Sequence, residues 1–257
     1  MFDFALRATT NGLQHRPLAA LQRPSARLVA TWPWLLPATG FGWLAIVGDT
    51  LIADAFYALE GHQWRWRHSP LLADGLHVVG RKVAITCWLL IAGALLASWS
   101  RGIRNATWQR EVAYVLVSVL LSTLVVAWIK SWSNVDCPWD LSRYGGDRPL
   151  LVLWQARPTE LPRGRCFPAG QASAGYAWVA LYFAARRHGG GWRAIGLATG
   201  LGAGAVLGLA QQLRGAHFAS HDVAAAVVCW LVASVLARWL LQSGVDASPR
   251  QTAGASR

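Results

Sequence analysis

The chain has 257 residues, 54% of them hydrophobic and only 14% charged. Soluble domains carry about a quarter charged residues, so the composition excludes an ordinary water-soluble globule and points to lipid. The formal charge of +12 would suit nucleic acid, but the basic residues lie in short clusters between apolar runs. No basic helix or stacking motif accompanies them, which sets nucleic acid aside as a partner.

Residues 1–31 are polar and carry Arg7, Arg16, Arg23 and Arg27, without the apolar core of a cleaved signal peptide. They read as a basic cytoplasmic segment. Trp32–Ala53 is the first predicted span, with Pro33, Pro37 and Asp49 inside it. Phe56–Lys82 mixes Trp64, Trp66, His62, His68, His77 and several arginines, and reads as an interfacial segment among headgroups. Spans two and three are predicted at Val83–Trp99 and Val112–Ile129, the latter ending at Lys130. Ser131–Phe167 is the longest polar connection. Span four follows at about Ala169–Ala185, span five at Ala194–Leu213 and span six at Val223–Leu241. Residues 243–257 read as a disordered tail.

The expected fold is therefore all-α: a polytopic six-helix transmembrane bundle over residues 32–242, with an interfacial segment and a long periplasmic loop. Arginine-rich turns after spans two and four place both termini in the cytoplasm. The Ser131–Phe167 loop also holds five arginines and weighs the other way, but long loops obey the charge rule less strictly. Cysteine decides between the two orientations. Cys137 and Cys166 flank that loop, and a bridge between them, rather than two reduced thiols, would place it in an oxidising compartment. The loop-entropy model gives such a bridge about 3–4 kcal/mol. Cys87 and Cys229 fall inside spans and read as buried thiols.

Three polar patches share the predicted outer face: Lys130, the run Phe167–Tyr176, and Arg214–Asp222. Charged groups at a membrane boundary need a reason to be there. Chemistry on a phosphate ester needs cations, backbone N–H groups at a helix start, a nucleophile and an acid for the leaving group. Lys130 and Arg214 are the candidate cations. Gly170, just after Pro168, opens a helix whose amides can face an anion. His217 is the candidate nucleophile, Ser220 a candidate N-cap, and Asp222 a carboxylate able to orient the His217 ring. Taken singly, Lys130 is an ordinary snorkelling lysine and Asp222 a first-turn charge. His217 and His221 lack a third ligand for a metal, so neither metal nor cofactor is expected. The case rests on co-location.

These residues resemble the type-2 phosphatidic acid phosphatase superfamily, whose site is shared with bacterial acid phosphatases and vanadium haloperoxidases. Its motifs, Lys-x6-Arg-Pro, Pro-Ser-Gly-His and Ser-Arg-x5-His-x3-Asp, fall here on Lys130…Cys137-Pro138, Pro168-Ala169-Gly170-Gln171 and Arg214…His217…Asp222. The resemblance covers spans three to six. It implies an extracytoplasmic site, a phosphohistidine on His217, Asp222 or His221 as its orienting partner, and phosphate held by Lys130 and Arg214. The chain departs from the pattern in several places. Cys137 stands at the first-motif arginine, so Arg143 or Arg148 is expected to supply that charge. Gln211 stands six before His217, where the third motif has arginine. His221 rather than an aspartate lies four after it.

Gln171 stands where the family has its acid histidine. Glutamine has no proton that titrates near neutral pH, and losing a general acid typically costs 10²–10⁴-fold in rate. The chain thus reads as a low-activity phosphatase. Because the other candidate site residues remain, an introduced change at Gln171 is favoured over natural decay. The expected activity is hydrolysis of a lipid phosphate or pyrophosphate in the bacterial inner membrane, with lipids as the partners and the oligomeric state open. The alternatives are a lipid-to-lipid phosphotransferase and a non-catalytic lipid-phosphate binding protein.

Overall fold

The computed structural model describes residues 47–103, 105–151 and 155–241. The basic segment 1–31, most of the first expected span Trp32–Ala53, and the tail 243–257 lie outside the described residues. Everything described is helix, turn or loop. No strand occurs among the described residues, and Leu141 and Arg148 form an isolated bridge.

Helix α1 is Asp49–Leu59. After a turn and a short 3₁₀ segment, Arg65–His68, a wide-turned helix over Pro70–Val79 runs directly into α2, Gly80–Ser100. The expected interfacial segment thus becomes continuously helical from Pro70, thirteen residues before Val83, where the second span is expected. Pro70 suits the first helical position because it has no N–H to leave unpaired. Asp74, His77 and Arg81 disguise this turn as loop, yet they recur three and four residues apart, as polar positions on a helix do.

Helix α3 is Ala106–Trp132, started by the Asn105 side chain accepting from the Trp108 N–H. The rod that follows the polar loop is broken. It comprises α4 (Gly170–Tyr176), a 3₁₀ turn at Ala177–Val179, α5 (Ala180–Ala184) and a last turn at Ala185–Arg187. Helices α6, Gly190–Leu213, and α7, Ala219–Leu240, complete the set. Among the described residues, four helices are long and apolar enough to cross a membrane: Pro70–Ser100, Ala106–Trp132, Gly190–Leu213 and Ala219–Leu240. That is the make-up of a multi-pass membrane protein. Their outer faces expose Leu89, Leu90, Leu124, Trp128, Val206 and Trp239, side chains that lipid would cover.

The α4–α5 rod is the buried centre. Ala177, Ala180 and Val179 are nearly inaccessible and pack with Tyr114 and Val119 of α3 and Cys229 and Ala233 of α7, while Ala172 packs with Ala169 and Ala225. The Tyr114 hydroxyl donates to the Ala233 carbonyl at 2.9 Å, tying α3 to α7. Against α6 the contact is backbone on backbone. Gly196, Gly200 and Gly204 recur every four residues, and a Cβ on Gly200 would fall 2.4 Å from the Val179 nitrogen. One on Gly175 would fall 2.3 Å from the nitrogen of Gly204. Lipid gives helices little hydrophobic reason to associate, so small residues that admit close approach supply the packing instead.

Candidate active site

One end of this bundle gathers the C-terminal turn of α3, the start of α4 and the loop joining α6 to α7. The loop from Ser133 to Ala169 lies over that end. Cys137 and Cys166 are paired, with Cα atoms 5.3 Å apart. The Cys166 N–H donates to the Val135 carbonyl at 2.9 Å, and the Trp139 N–H to Gly215 at 2.9 Å. The Ala169 N–H donates to His221 at 3.0 Å, which fixes the start of α4 on the first turn of α7.

His217 and His221 are both buried, with Nδ1 atoms 3.4 Å apart and ring centroids at 5.6 Å. Phe167 and Phe218 stand edge-on to His221, each at 5.4 Å. Burial holds the His217 imidazole well below the usual histidine range. The charges of His221, Lys130 and His77 push the same way, and the main chain of Cys166 opposes them. A neutral ring in a cationic pocket is the form that can attack phosphorus.

Lys130 pairs with no carboxylate among the described residues, and its ammonium lies 3.6 Å from where a Cβ on Gly170 would be. A side chain at position 170 would crowd that ammonium. Arg214 is aimed from both sides. Its Nε donates to the Arg67 carbonyl at 3.0 Å and its Nη1 to Gln211 Oε1 at 3.0 Å. Its guanidinium also lies 5.8 Å from the Trp139 ring. Burial, reinforced by the Arg67 charge, lowers the Arg214 pKa, and Asp74 offsets this in part.

Several expected roles look different in three dimensions. Asp222 does not face His217. It lies against Gly208, where a Cβ would meet Oδ2 at 2.5 Å, and Oδ2 accepts from the Gln212 amide. The ring partner of His217 is His221. Ser220 lies inside the first turn of α7 rather than capping it, because that helix starts at Ala219. The cap comes from elsewhere. Asp49 Oδ1 accepts from the Ser220 N–H at 2.8 Å, and its Oδ2 accepts from the Ser220 hydroxyl.

Arg143 and Arg148, expected to replace the first-motif charge, are committed to carboxylates. Arg143 Nε donates to Asp54 at 2.8 Å, and Arg148 Nη1 to Asp136 at 2.6 Å. Neither is among the charges that act on His217. Gln171 is turned toward the helix from Pro70. Its Nε2 donates to the carbonyls of Leu76 at 3.0 Å and His77 at 3.1 Å.

Two side chains absent from the sequence-based site belong to this end. Gln211 is buried, and its Nε2 has no partner among the described residues, although its Oε1 holds Arg214. The signal was its spacing, three before Arg214 on one helix face. His77 is likewise left with a buried, unpartnered Nδ1. Among the described residues no group of three His, Cys, Asp or Glu side chains has the geometry to hold a metal ion.

Comparison with known proteins bears on this cluster directly. The sequence model of the PAP2 superfamily matches residues 111–244, just over half of the chain. The chain belongs to the PAP2 superfamily. The matched stretch begins in α3 and contains Lys130, the Cys137–Cys166 loop, Gly170, Gln171, Arg214, His217 and Asp222. The segment that carries His77 and Asp49 precedes it. No curated protein and no solved structure matches the chain significantly. Membership in the PAP2 superfamily points to a phosphatase-type function on lipid phosphates.

Proposed function

We propose that the chain is a membrane phosphatase that hydrolyses a lipid phosphate or pyrophosphate through a phosphohistidine on His217. With Nδ1 of His217 turned to His221, Nε2 is the nitrogen that attacks phosphorus. The Lys130 ammonium, the Arg214 guanidinium and the unpartnered Gln211 amide receive the phosphoryl oxygens, since fixed donors aimed at developing charge stabilise the transition state. Water then attacks the P–N bond and releases inorganic phosphate.

The observation that carries the lipid half of this reading is a groove of about 430 Å³ between α2, α3 and α4. At one end it is lined by Arg81, Gly170 and Gln171, and elsewhere by apolar side chains such as Ile85, Leu89 and Leu120. A polar end beside the histidines and an apolar length facing lipid match a phosphate headgroup with a hydrocarbon tail. The Cys137–Cys166 pair covers the same end, and disulfides persist outside the cytosol. That supports a site on the periplasmic side of a six-span bundle whose termini are both cytoplasmic.

The test is release of inorganic phosphate by the purified chain from phosphatidic acid, polyprenyl pyrophosphate and lipid A, with and without an acceptor lipid. Turnover that prefers long-tailed substrates over glycerol phosphate supports the reading. Transfer of phosphate only to the acceptor lipid would make the protein a phosphotransferase. Binding without turnover on any substrate would overturn the enzymatic reading.

A further inference from the structure

The Gln171 side chain cannot protonate a leaving group, and its two N–H bonds are already directed at the Leu76 and His77 carbonyls. The residue at the family's acid position therefore grips the main chain of another histidine. Building on the phosphatase reading above, we propose that His77 is the general acid–base of this site, taking over the role that a histidine at position 171 has elsewhere in the family.

Four observations converge on it. His77 Nδ1 is buried and has no hydrogen-bond partner among the described residues, an expensive state unless a ligand completes it. The charges that act on the ring come from Arg214 in the loop after α6, Arg81 of its own helix and Lys130 of α3. His77 is also among the groups whose charge acts on His217. The His77 main chain is tied to Gln171, next to Gly170, whose added Cβ would lie 3.6 Å from the Lys130 ammonium. Finally, it sits in the wide-turned segment Pro70–Val79, where the Gly80 N–H reaches back to the Gly75 carbonyl. Helical turns of this kind are uncommon and recur at functional sites, because they re-aim a side chain.

The chemistry balances. His217 Nε2 attacks phosphorus and the P–O bond to the lipid oxygen breaks. That oxygen takes the proton from the His77 imidazolium and leaves as the alcohol, or as the lipid monophosphate when the substrate is a pyrophosphate. His77, now neutral, accepts a proton from the incoming water as its oxygen bonds to phosphorus and the P–N bond breaks. Phosphate departs, and His77 is again protonated. The negative charge of the substrate, settling among Lys130, Arg81 and Arg214, favours a proton on the adjacent imidazole in the complex.

The experiment compares two esters with His77→Asn. Dodecyl phosphate has a poor leaving group that needs a proton, and p-nitrophenyl phosphate has one that leaves without help. The variant should lose about 10²–10⁴-fold on dodecyl phosphate but less than about tenfold on p-nitrophenyl phosphate, because general-acid assistance is worth that much only where the leaving group needs it. Its pH–rate profile on dodecyl phosphate should also lose the limb that falls at high pH. The rise in melting temperature on adding vanadate, measured beside turnover, establishes that the variant is folded with its anion site intact. If His77→Asn lacks that rise, His77→Gln is measured in its place with the same expectation. Equal losses on the two esters, or no loss, overturn the assignment of His77 and leave the phosphatase reading standing. No turnover of either ester by the unaltered chain overturns both.

Discussion

Replacing Gly200 with alanine should separate the two buried backbones on which the site is mounted. The new methyl would lie 2.4 Å from the Val179 nitrogen and 2.7 Å from its Cα, about 1 Å inside ordinary van der Waals contact. The obstacle is main chain, so no side-chain rotation relieves it, and α6 must move away from the rod. Overpacking of this kind costs about 1–3 kcal/mol, while alanine's better helix propensity returns roughly 0.5–1 kcal/mol. Gly202 provides the control, because a Cβ there meets nothing within 4 Å. Gly202→Ala keeps only the propensity gain. The two variants should therefore differ by about 1–3 kcal/mol, roughly 3–10 °C in melting temperature for a chain of this size, with Gly200→Ala the lower. Thermal unfolding in detergent, followed by tryptophan fluorescence, reads this difference directly. Turnover should fall with it, since the displaced rod carries Gly170 and Gln171 at its start. A Gly200→Ala protein that melts at or above Gly202→Ala would refute the seam as the packing device.

Lys130→Ala and Arg214→Ala should each weaken vanadate binding about 10- to 100-fold, the worth of a charge-assisted hydrogen bond. Arg143→Ala should leave it unchanged, because that guanidinium is bound to Asp54 in an exposed pair; calorimetric titration of the three variants checks this. Asp49→Ala should cost about 1–2 kcal/mol in thermal stability through loss of a helix cap, here supplied from a distant part of the chain, and turnover should fall with it because His221 follows Ser220. The buried His217 should also make itself felt in pH dependence. Its folded-state pKa lies below the ordinary 6.5, so the unfolded chain binds the extra proton first. Its contribution to stability is complete above pH 6.5, and is lost as pH falls from there through the depressed folded value. A chemical-denaturation series from pH 8 to pH 4 should show stability decreasing toward acid, with a smaller decrease in His217→Asn.

The long apolar helices were legible because hydropathy reads them without help from the rest of the fold: spans two, three and five fall within α2, α3 and α6, and span six runs one residue past the end of α7. The onset at Pro70 was obscured by His77, Asp74 and Arg81, since a helical turn carrying polar side chains looks the same in one dimension as a wet loop. The α6 glycines were visible but mute, because close approach is a property of the pair of helices. At the site, the gathering of Lys130, Gly170 and His217 followed from motif order. Which carboxylate or ring each side chain meets did not. Asp222 turns to Gln212 because Gly208 leaves room for it there. Asp49 reaches Ser220 across 171 positions, and no local pattern announces such a contact. The pairing of Cys137 with Cys166 could be read because only two cysteines flank the loop.

The central claim is that phosphorus becomes bonded to His217. A lipid substrate labelled with ³²P in the transferred phosphate, mixed with the protein and quenched in alkali within milliseconds, should leave acid-labile, alkali-stable label on the peptide containing residues 215–222. That label should vanish in His217→Asn and persist in His221→Asn, where the neighbouring ring is lost but the nucleophile remains. Label that survives in His217→Asn, or that moves to His221, would contradict the account.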